Sequence, residues 1–159
     1  MKKLTIIAAM MTATILALGT VSCSSDDDDV SVSEEQVVGL WEGDPDSYYI
    51  EYNGKKEKVP ATEVDDAGGR AEFRADHTYS VYDVDYRTGK YVEDTYDRGT
   101  WSLSGNELTI RFDHDGETKT STITAISASS ITLRYADEDE DDDGRSIVYY
   151  IYSTMKRVN

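Results

Sequence analysis

The sequence predicts an all-β protein, an antiparallel and mainly up-and-down β-barrel of about eight to ten strands. Three observations predict this class. Short runs alternate apolar and polar residues, turn-forming residues separate these runs at regular intervals, and no long helical periodicity follows residue 22. Consecutive hairpins with one apolar face each leave unpaired edges, and closing the sheet on itself removes those edges.

The hairpin at residues 99–112 carries the clearest strand signal. Trp101 and Leu103 share one face of its first strand, and every second residue of its second strand is apolar. Gly105 and Asn106 suit the turn between the strands because both tolerate the positive φ of tight hairpins. With two aromatic residues of earlier strands, the apolar faces form the predicted core: Trp41, Phe73, Trp101, Leu103, Leu108, Ile110 and Phe112.

The other elements follow from the same alternation. Ser33 is expected to cap a short helical turn, with acids in its first turn where the helix dipole favours them. The last predicted strand is apolar or amphipathic on both faces, so it is expected to lie between two neighbours. The remaining predicted strands are 37–42, 48–52, 55–59, 71–75, 78–84, 91–96, 117–126, 131–136 and 145–154, with an acidic loop at 137–144.

Length and charge limit the possible functions. A chain of 159 residues is expected to form one domain with one core. Its 32 acids outnumber its 16 Lys and Arg, and the formal charge of -16 argues against nucleic acid or an anionic lipid surface as a partner. Twelve Tyr and two Trp are more aromatic residues than a disordered acidic chain would carry, so the acidic residues are expected to lie on the surface of a folded domain. The domain is expected to be a monomer.

The first residues resemble the signal of a bacterial lipoprotein. A basic start precedes an apolar run at residues 4–18 that is too short for a lasting membrane span. Small or β-branched residues then lead to Cys23, the only cysteine, although Thr20 stands where such signals usually carry Leu. The resemblance implies cleavage before Cys23 and acylation of its sulfur. The domains expected are a signal peptide at 1–22, an acidic tether at 23–32 and the barrel at 33–159.

An acidic run follows the cysteine directly: Asp26, Asp27, Asp28 and Asp29. It resembles the export signal with which one group of Gram-negative bacteria moves lipoproteins to the outer face of the outer membrane. A solvated, self-repelling tether explains the same run, and both interpretations hold together. The expected location is therefore the outer membrane, with the domain exposed on the cell surface.

Three segments resemble the lipocalin-like domains of bacterial lipoproteins, within the calycin group of β-barrels. They are Gly-Leu-Trp at 39–41, Phe-Arg-Ala-Asp-His-Thr-Tyr at 73–79 and Gly-Thr-Trp-Ser-Leu at 99–103, the last followed by Gly105, Asn106 and Leu108. The resemblance spans residues 33–153 and implies that Trp41 packs at the closed end of the barrel. An arginine covers this tryptophan in the family, and here Arg134 and Arg145 are the alternatives. Ligand-binding residues do not carry over, because the family binds diverse molecules.

Aromatic rings and acids supply the candidate sites. Four tyrosines on the predicted strands are candidates to face a ligand: Tyr82, Tyr135, Tyr150 and Tyr152. The alternative, which is favoured, is that most tyrosines are cross-strand pairs on a barrel already filled by side chains. Asp139, Asp141 and Asp143 match half of a calcium loop, but Tyr150 stands where a bidentate Glu is needed, so a solvated loop is favoured over a weak calcium site.

Binding is favoured over catalysis. No nucleophile elbow, phosphate loop or dinucleotide fingerprint is present, and His77 and His114 sit in Asp-flanked turns. No cofactor is expected. The expected partners are the membrane, through the lipid on Cys23, and an unknown small-molecule or protein ligand. The hypotheses are a surface-tethered binding module, an interaction or structural lipoprotein of the envelope without a small-molecule pocket, and, as a minority alternative, a hydrolase with paired carboxylates.

Overall fold

A computed structural model describes residues 30–64, 68–140 and 146–159. Cys23, the run from Asp26 to Asp29, Arg145 and two of the three calcium candidates, Asp141 and Asp143, lie outside the described residues. Within the described ranges, no helix combines the length and apolar character needed to cross a lipid bilayer.

The described chain folds into one helical turn and ten antiparallel strands. The helix α1 spans Glu34–Val37, and short 3-10 turns occupy Pro45–Ser47 and Ala61–Glu63. The strands are β1 (Gly39–Gly43), β2 (Tyr49–Tyr52), β3 (Lys55–Lys58), β4 (Arg70–Phe73), β5 (Thr78–Asp85), β6 (Lys90–Ser104), β7 (Glu107–Phe112), β8 (Thr118–Ile126), β9 (Ser130–Glu140) and β10 (Ser146–Arg157).

Eight of these strands close into a barrel. The order is β1-β4-β5-β6-β7-β8-β9-β10, and pairing of β10 with β1 completes the circle. The hairpin β2–β3 extends outward from β10, whose residues Tyr150 to Tyr152 pair with β2. The predicted fold class is therefore confirmed, as is the expectation that the last strand lies between neighbours: β9 on one side, β1 and β2 on the other.

Several predicted strand boundaries were wrong, and strand pairing explains two of the differences. The strand predicted at 91–96 is not separate but forms part of the long strand β6. The pairing of β5 with β6 passes from Tyr79↔Gly99 to Val81↔Asp94, so β6 has more residues than β5 at this point and accommodates them as an irregularity without ending the strand. The predicted acidic loop at 137–144 starts too early, because residues 137–140 pair with β10 in the register Glu140↔Ser146 to Asp137↔Tyr149. Cross-strand partners thus extend strands through sequences that resemble loops.

The N-terminal helical turn forms where it was predicted. Ser33 is its N-cap residue, and the backbone N–H of Ser33 donates to Gln36 Oε1 at 2.9 Å. The preceding Val32 already packs against the core, so contacts with the barrel begin within the segment expected to be tether.

Aromatic and aliphatic side chains fill the end of the barrel next to α1. Trp41 is fully buried and its indole N–H donates to the Val37 carbonyl at 2.8 Å, while the Trp101 indole donates to the Arg74 carbonyl at 3.0 Å. The rings of Phe73 and Trp101 meet edge to face with centroids 5.8 Å apart. The other fully or largely buried side chains of this cluster are Val37, Ala71, Tyr79, Leu108, Phe112, Ile123 and Ile131.

The arginine that covers Trp41 is Arg157. Its guanidinium carbon lies 4.1 Å from the centre of the Trp41 ring, and β1 and β10 set the two residues opposite each other. Its guanidinium donates to the backbone carbonyls of Val38 and Gln36 at 2.8 and 2.7 Å, which ties α1 to the barrel. Neither predicted alternative is seen in this role: Arg134 lies over the Tyr150 ring at 5.3 Å, and Arg145 lies outside the described residues.

Replacing Arg157 by Met is expected to lower the free energy of unfolding by about 2 kcal/mol, because hydrogen bonds from a charged group contribute about 1.5–3 kcal/mol. Methionine keeps most of the aliphatic packing on Trp41 but donates to no carbonyl. Arg87→Met is the matched control, since the Arg87 side chain is 93% exposed and is expected to change stability by less than about 0.5 kcal/mol. Urea unfolding of both variants measures the difference, and equal midpoints would contradict the role given to Arg157.

Candidate functional site

The two ends of the barrel differ in what fills them. The closed end carries α1 and the turns β4–β5, β6–β7 and β8–β9, above the aromatic cluster. The open end carries the turns β5–β6 and β7–β8, the end of β9 and the start of β10. Inward-facing side chains toward the open end are polar or half-buried, so this half of the lumen is the candidate site.

One wall of the open half comes from β9 and β10. On β9 the inward face that begins with buried Ile131 continues through Tyr135 to Asp137, and on β10 buried Ile151 shares its face with Tyr149. The Tyr149 hydroxyl donates to Asp137 Oδ2 at 3.1 Å. Burial and the Asp137 carboxylate raise the pKa of Tyr149 to about 12, and burial raises the pKa of Tyr135 as well. Both phenols therefore stay neutral donors at physiological pH.

The facing wall comes from β5 and β6, where Tyr79 belongs to the packed cluster of the closed end and Asp83 lies further along β5 toward the open end. Tyr79 pairs with inward-facing Phe73 and is 8% exposed, and burial raises its pKa, with the carboxylates of Asp97 and Asp83 adding to the effect. Asp97 lies in the irregular stretch of β6 opposite Tyr79 and Val81, and its carboxylate is near enough to raise the pKa of Tyr79. Burial raises the pKa of Asp97, and the neighbouring Asp94 carboxylate raises it further.

Three of the four tyrosines considered as ligand-facing lie on the outer surface. Tyr82 pairs with Arg70 on the outer face of β4 and β5, and its hydroxyl donates to Glu72 at 2.8 Å. Tyr150 is 42% exposed, and Tyr152 on the same face donates to Glu51 at 2.6 Å. Of the four, Tyr135 alone faces the lumen.

Tyr79 and Tyr149 are inward residues that the sequence analysis did not single out. The alternation of β10 contained the signal for Tyr149, because Tyr149 shares a face with Ile147 and Ile151 while Tyr150 and Tyr152 share the other. The predicted core residues occupy the lumen side: Leu103 and Ile110 are partly buried against the cluster, and the other five are 5% exposed or less.

The histidines and acids of the turns form no metal centre among the described residues, where no group of three or more His, Cys, Asp or Glu is placed to hold an ion. His77 stacks on Trp101 with ring centroids 5.0 Å apart, and its Nε2 lies 3.4 Å from Glu34. His114 contacts the Tyr96 carbonyl through Nδ1 at 2.9 Å. Asp139, the calcium candidate within the described residues, pairs with Ile147 in the β9–β10 ladder.

A hollow lies at the closed end of the barrel, beside the β6–β7 turn. It measures about 260 Å³ and lies between residues 30–32 and the β6–β7 turn, at Gly105 and Asn106.

A closed antiparallel barrel, packed at one end and lined at the other by aromatic and polar side chains, defines a ligand-binding type of β-barrel. The chain belongs to the family of lipocalin-like domains, whose family model matches residues 37–135. Domains of this family are typically binding folds and not enzymes. No curated protein sequence matches the chain significantly.

Proposed function

We propose that this protein is a lipid-anchored binding module of the bacterial outer membrane whose barrel takes up a small ligand in its open half. One observation carries the proposal: the closed half is filled by buried side chains, whereas Tyr135 and Tyr149 in the open half are inward-facing but only half-buried. A half-filled lumen lined by aromatic rings with a few polar groups is the usual form of a small-molecule site. Binding without catalysis is the proposed activity.

Filling the lumen tests the binding proposal. Val81 faces inward next to the core and Val148 is 48% exposed on the outer surface, so Val81→Trp and Val148→Trp add the same ring to opposite faces of the barrel. Native mass spectrometry of the chain purified from its host is expected to show extra mass in the wild type and in Val148→Trp, and none in Val81→Trp. Melting curves confirm folding, with Val81→Phe as the smaller substitute.

Loss of the same extra mass from both tryptophan variants would contradict a site in the lumen. If the wild-type chain carries no ligand, the interaction lipoprotein without a small-molecule pocket becomes the better hypothesis.

The anchor is the second part of the proposal. Cys23 follows an apolar segment and precedes four aspartates, and each buried methylene of a lipid contributes about 0.8 kcal/mol, so two or more acyl chains hold a protein stably at a membrane. Cys23→Ala is expected to release the protein from the membrane fraction. Protease treatment of intact cells measures surface exposure, and replacement of Asp26 to Asp29 by Ala is expected to protect the protein. Membrane retention of Cys23→Ala would refute acylation at that residue.

A further inference from the structure

The N-terminal segment joins the barrel at its closed end. Residues 30–32 border the hollow beside the β6–β7 turn, and Val32 packs against the core cluster. Arg157 on β10 donates hydrogen bonds to the carbonyls of Gln36 and Val38, which ties the following helix α1 to the barrel wall. The chain therefore enters the folded domain at a fixed place on the closed end.

The tether between Cys23 and the fold is shorter than the barrel. Val30, the first described residue, lies seven positions after Cys23, so the connecting chain spans at most about 25 Å when fully extended. Strand β10 runs from the open end at Ser146 to the closed end at Arg157. This strand is about 36 Å long, or about 28 Å along the barrel axis at the usual strand tilt. An anchor at Cys23 thus cannot readily lie level with the open end.

The side chains of the open end argue in two directions about a membrane. Exposed apolar side chains lie toward this end, including Tyr86 and Val92, and tyrosine is a residue that suits lipid interfaces. The same end carries the acidic β7–β8 turn and the run from Asp137 to Glu140, which an anionic lipid surface repels. Acids are fewer at the closed end of the described chain, with Glu34 and Glu35 of α1 among them. Charge and tether length therefore favour the same arrangement.

We infer that the short tether holds the closed end of the barrel toward the membrane, so that the open end faces the surrounding medium. This inference rests on the proposed function, from which it takes the lipid on Cys23. The parts of the fold nearest the membrane are then α1, the β6–β7 turn and the β8–β9 turn, whose residues Gly105, Asn106 and 127–129 are small or uncharged. A ligand reaches the site from the medium and not from the lipid layer.

Energy transfer from the protein to the membrane tests this orientation. Cys23 is the only cysteine and carries the lipid in the anchored protein, so an introduced cysteine is the free thiol that takes a donor dye. Ala128→Cys places the dye at the closed end and Thr88→Cys at the open end, and both positions are exposed. In phosphatidylethanolamine–phosphatidylglycerol vesicles with acceptor dyes on the headgroups, transfer is expected to be several-fold more efficient from residue 128 than from residue 88.

A longer tether is the matched control. Insertion of about twenty Gly and Ser residues between Asp29 and Val30 gives a flexible connection that no longer restricts which end of the barrel approaches the lipid. The difference in transfer between residues 128 and 88 is expected to lose most of its size in this variant. Flotation of the vesicles measures the bound fraction of each labelled protein, and melting curves confirm that the barrel is folded.

Three results with membrane-bound protein would overturn the inference and leave the proposed function standing. They are equal transfer from the two positions, stronger transfer from residue 88, and a difference that the longer tether leaves unchanged. A full chain that does not float with the vesicles would instead show that the anchor is absent. That result would overturn the anchoring part of the proposed function, and the inference with it.

Discussion

Trp41→Ala is expected to lower the free energy of unfolding by about 3–5 kcal/mol, which is the usual cost of removing a large aromatic side chain from a core. Trp41 is fully buried, its indole N–H donates to the Val37 carbonyl, and its ring lies under the Arg157 guanidinium. The substitution therefore leaves a cavity and also removes the contacts that join α1, β1 and β10. Urea unfolding followed by circular dichroism measures the loss.

Tyr86→Ala is the control for this variant, because Tyr86 is 89% exposed and its loss is expected to change stability by less than about 0.5 kcal/mol. Trp41→Phe is expected to fall between the two, since it keeps ring packing and loses the hydrogen bond. A cost for Trp41→Ala below about 1.5 kcal/mol would show that the closed end does not depend on this residue.

Gly99→Ala is expected to lower the free energy of unfolding by about 3 kcal/mol, which is the upper end of the usual cost of overpacking a close-packed core. A Cβ at Gly99 would overlap the carbonyl oxygen of Arg111 and would lie 3.0 Å from the Cα of Phe112. Both contacts are with backbone atoms of β7, so no side-chain rotation relieves them. The strands β6 and β7 must separate at the pair Gly99↔Phe112, next to the core.

The matched control is Gly68→Ala, since a Cβ there meets no atom within 4 Å and the φ of Gly68 lies outside the positive range that strains alanine. Thermal melts of both variants are expected to separate them by several degrees. If Gly99→Ala has the same melting temperature as the wild type, the close approach of β7 to residue 99 is not present in solution.

Local alternation and turn chemistry were enough to predict the fold class. The dipeptide Asn53–Gly54 predicted the β2–β3 hairpin, and both residues adopt positive φ, 52° and 73°. The alternation at 99–112 likewise predicted a hairpin, and Trp101 and Phe112 lie buried at 3% and 5% exposure. These features depend on neighbours in sequence, which a single sequence contains.

Features that depend on distant partners were not predictable in this way. Strand β9 extends into the acidic segment because β10 supplies its partners, and Arg157 reaches Trp41 only because β10 pairs with β1. The last strand was predicted to end at residue 154, so the continued inward alternation through Met155 to Arg157 was not used. The outward placement of Tyr82, Tyr150 and Tyr152 similarly follows from knowing which face of each strand closes the barrel.

The central claim is that one half of the barrel is packed and the other is an accessible lumen. Solvent paramagnetic relaxation, with a small neutral nitroxide and ring-labelled tyrosine and tryptophan, measures this accessibility directly by NMR. Line broadening is predicted at the rings of Tyr135 and Tyr149, with none at Trp41 or Trp101. Tyrosine rings as protected as the two tryptophans would show that the lumen is filled throughout, and would contradict a ligand site inside this barrel.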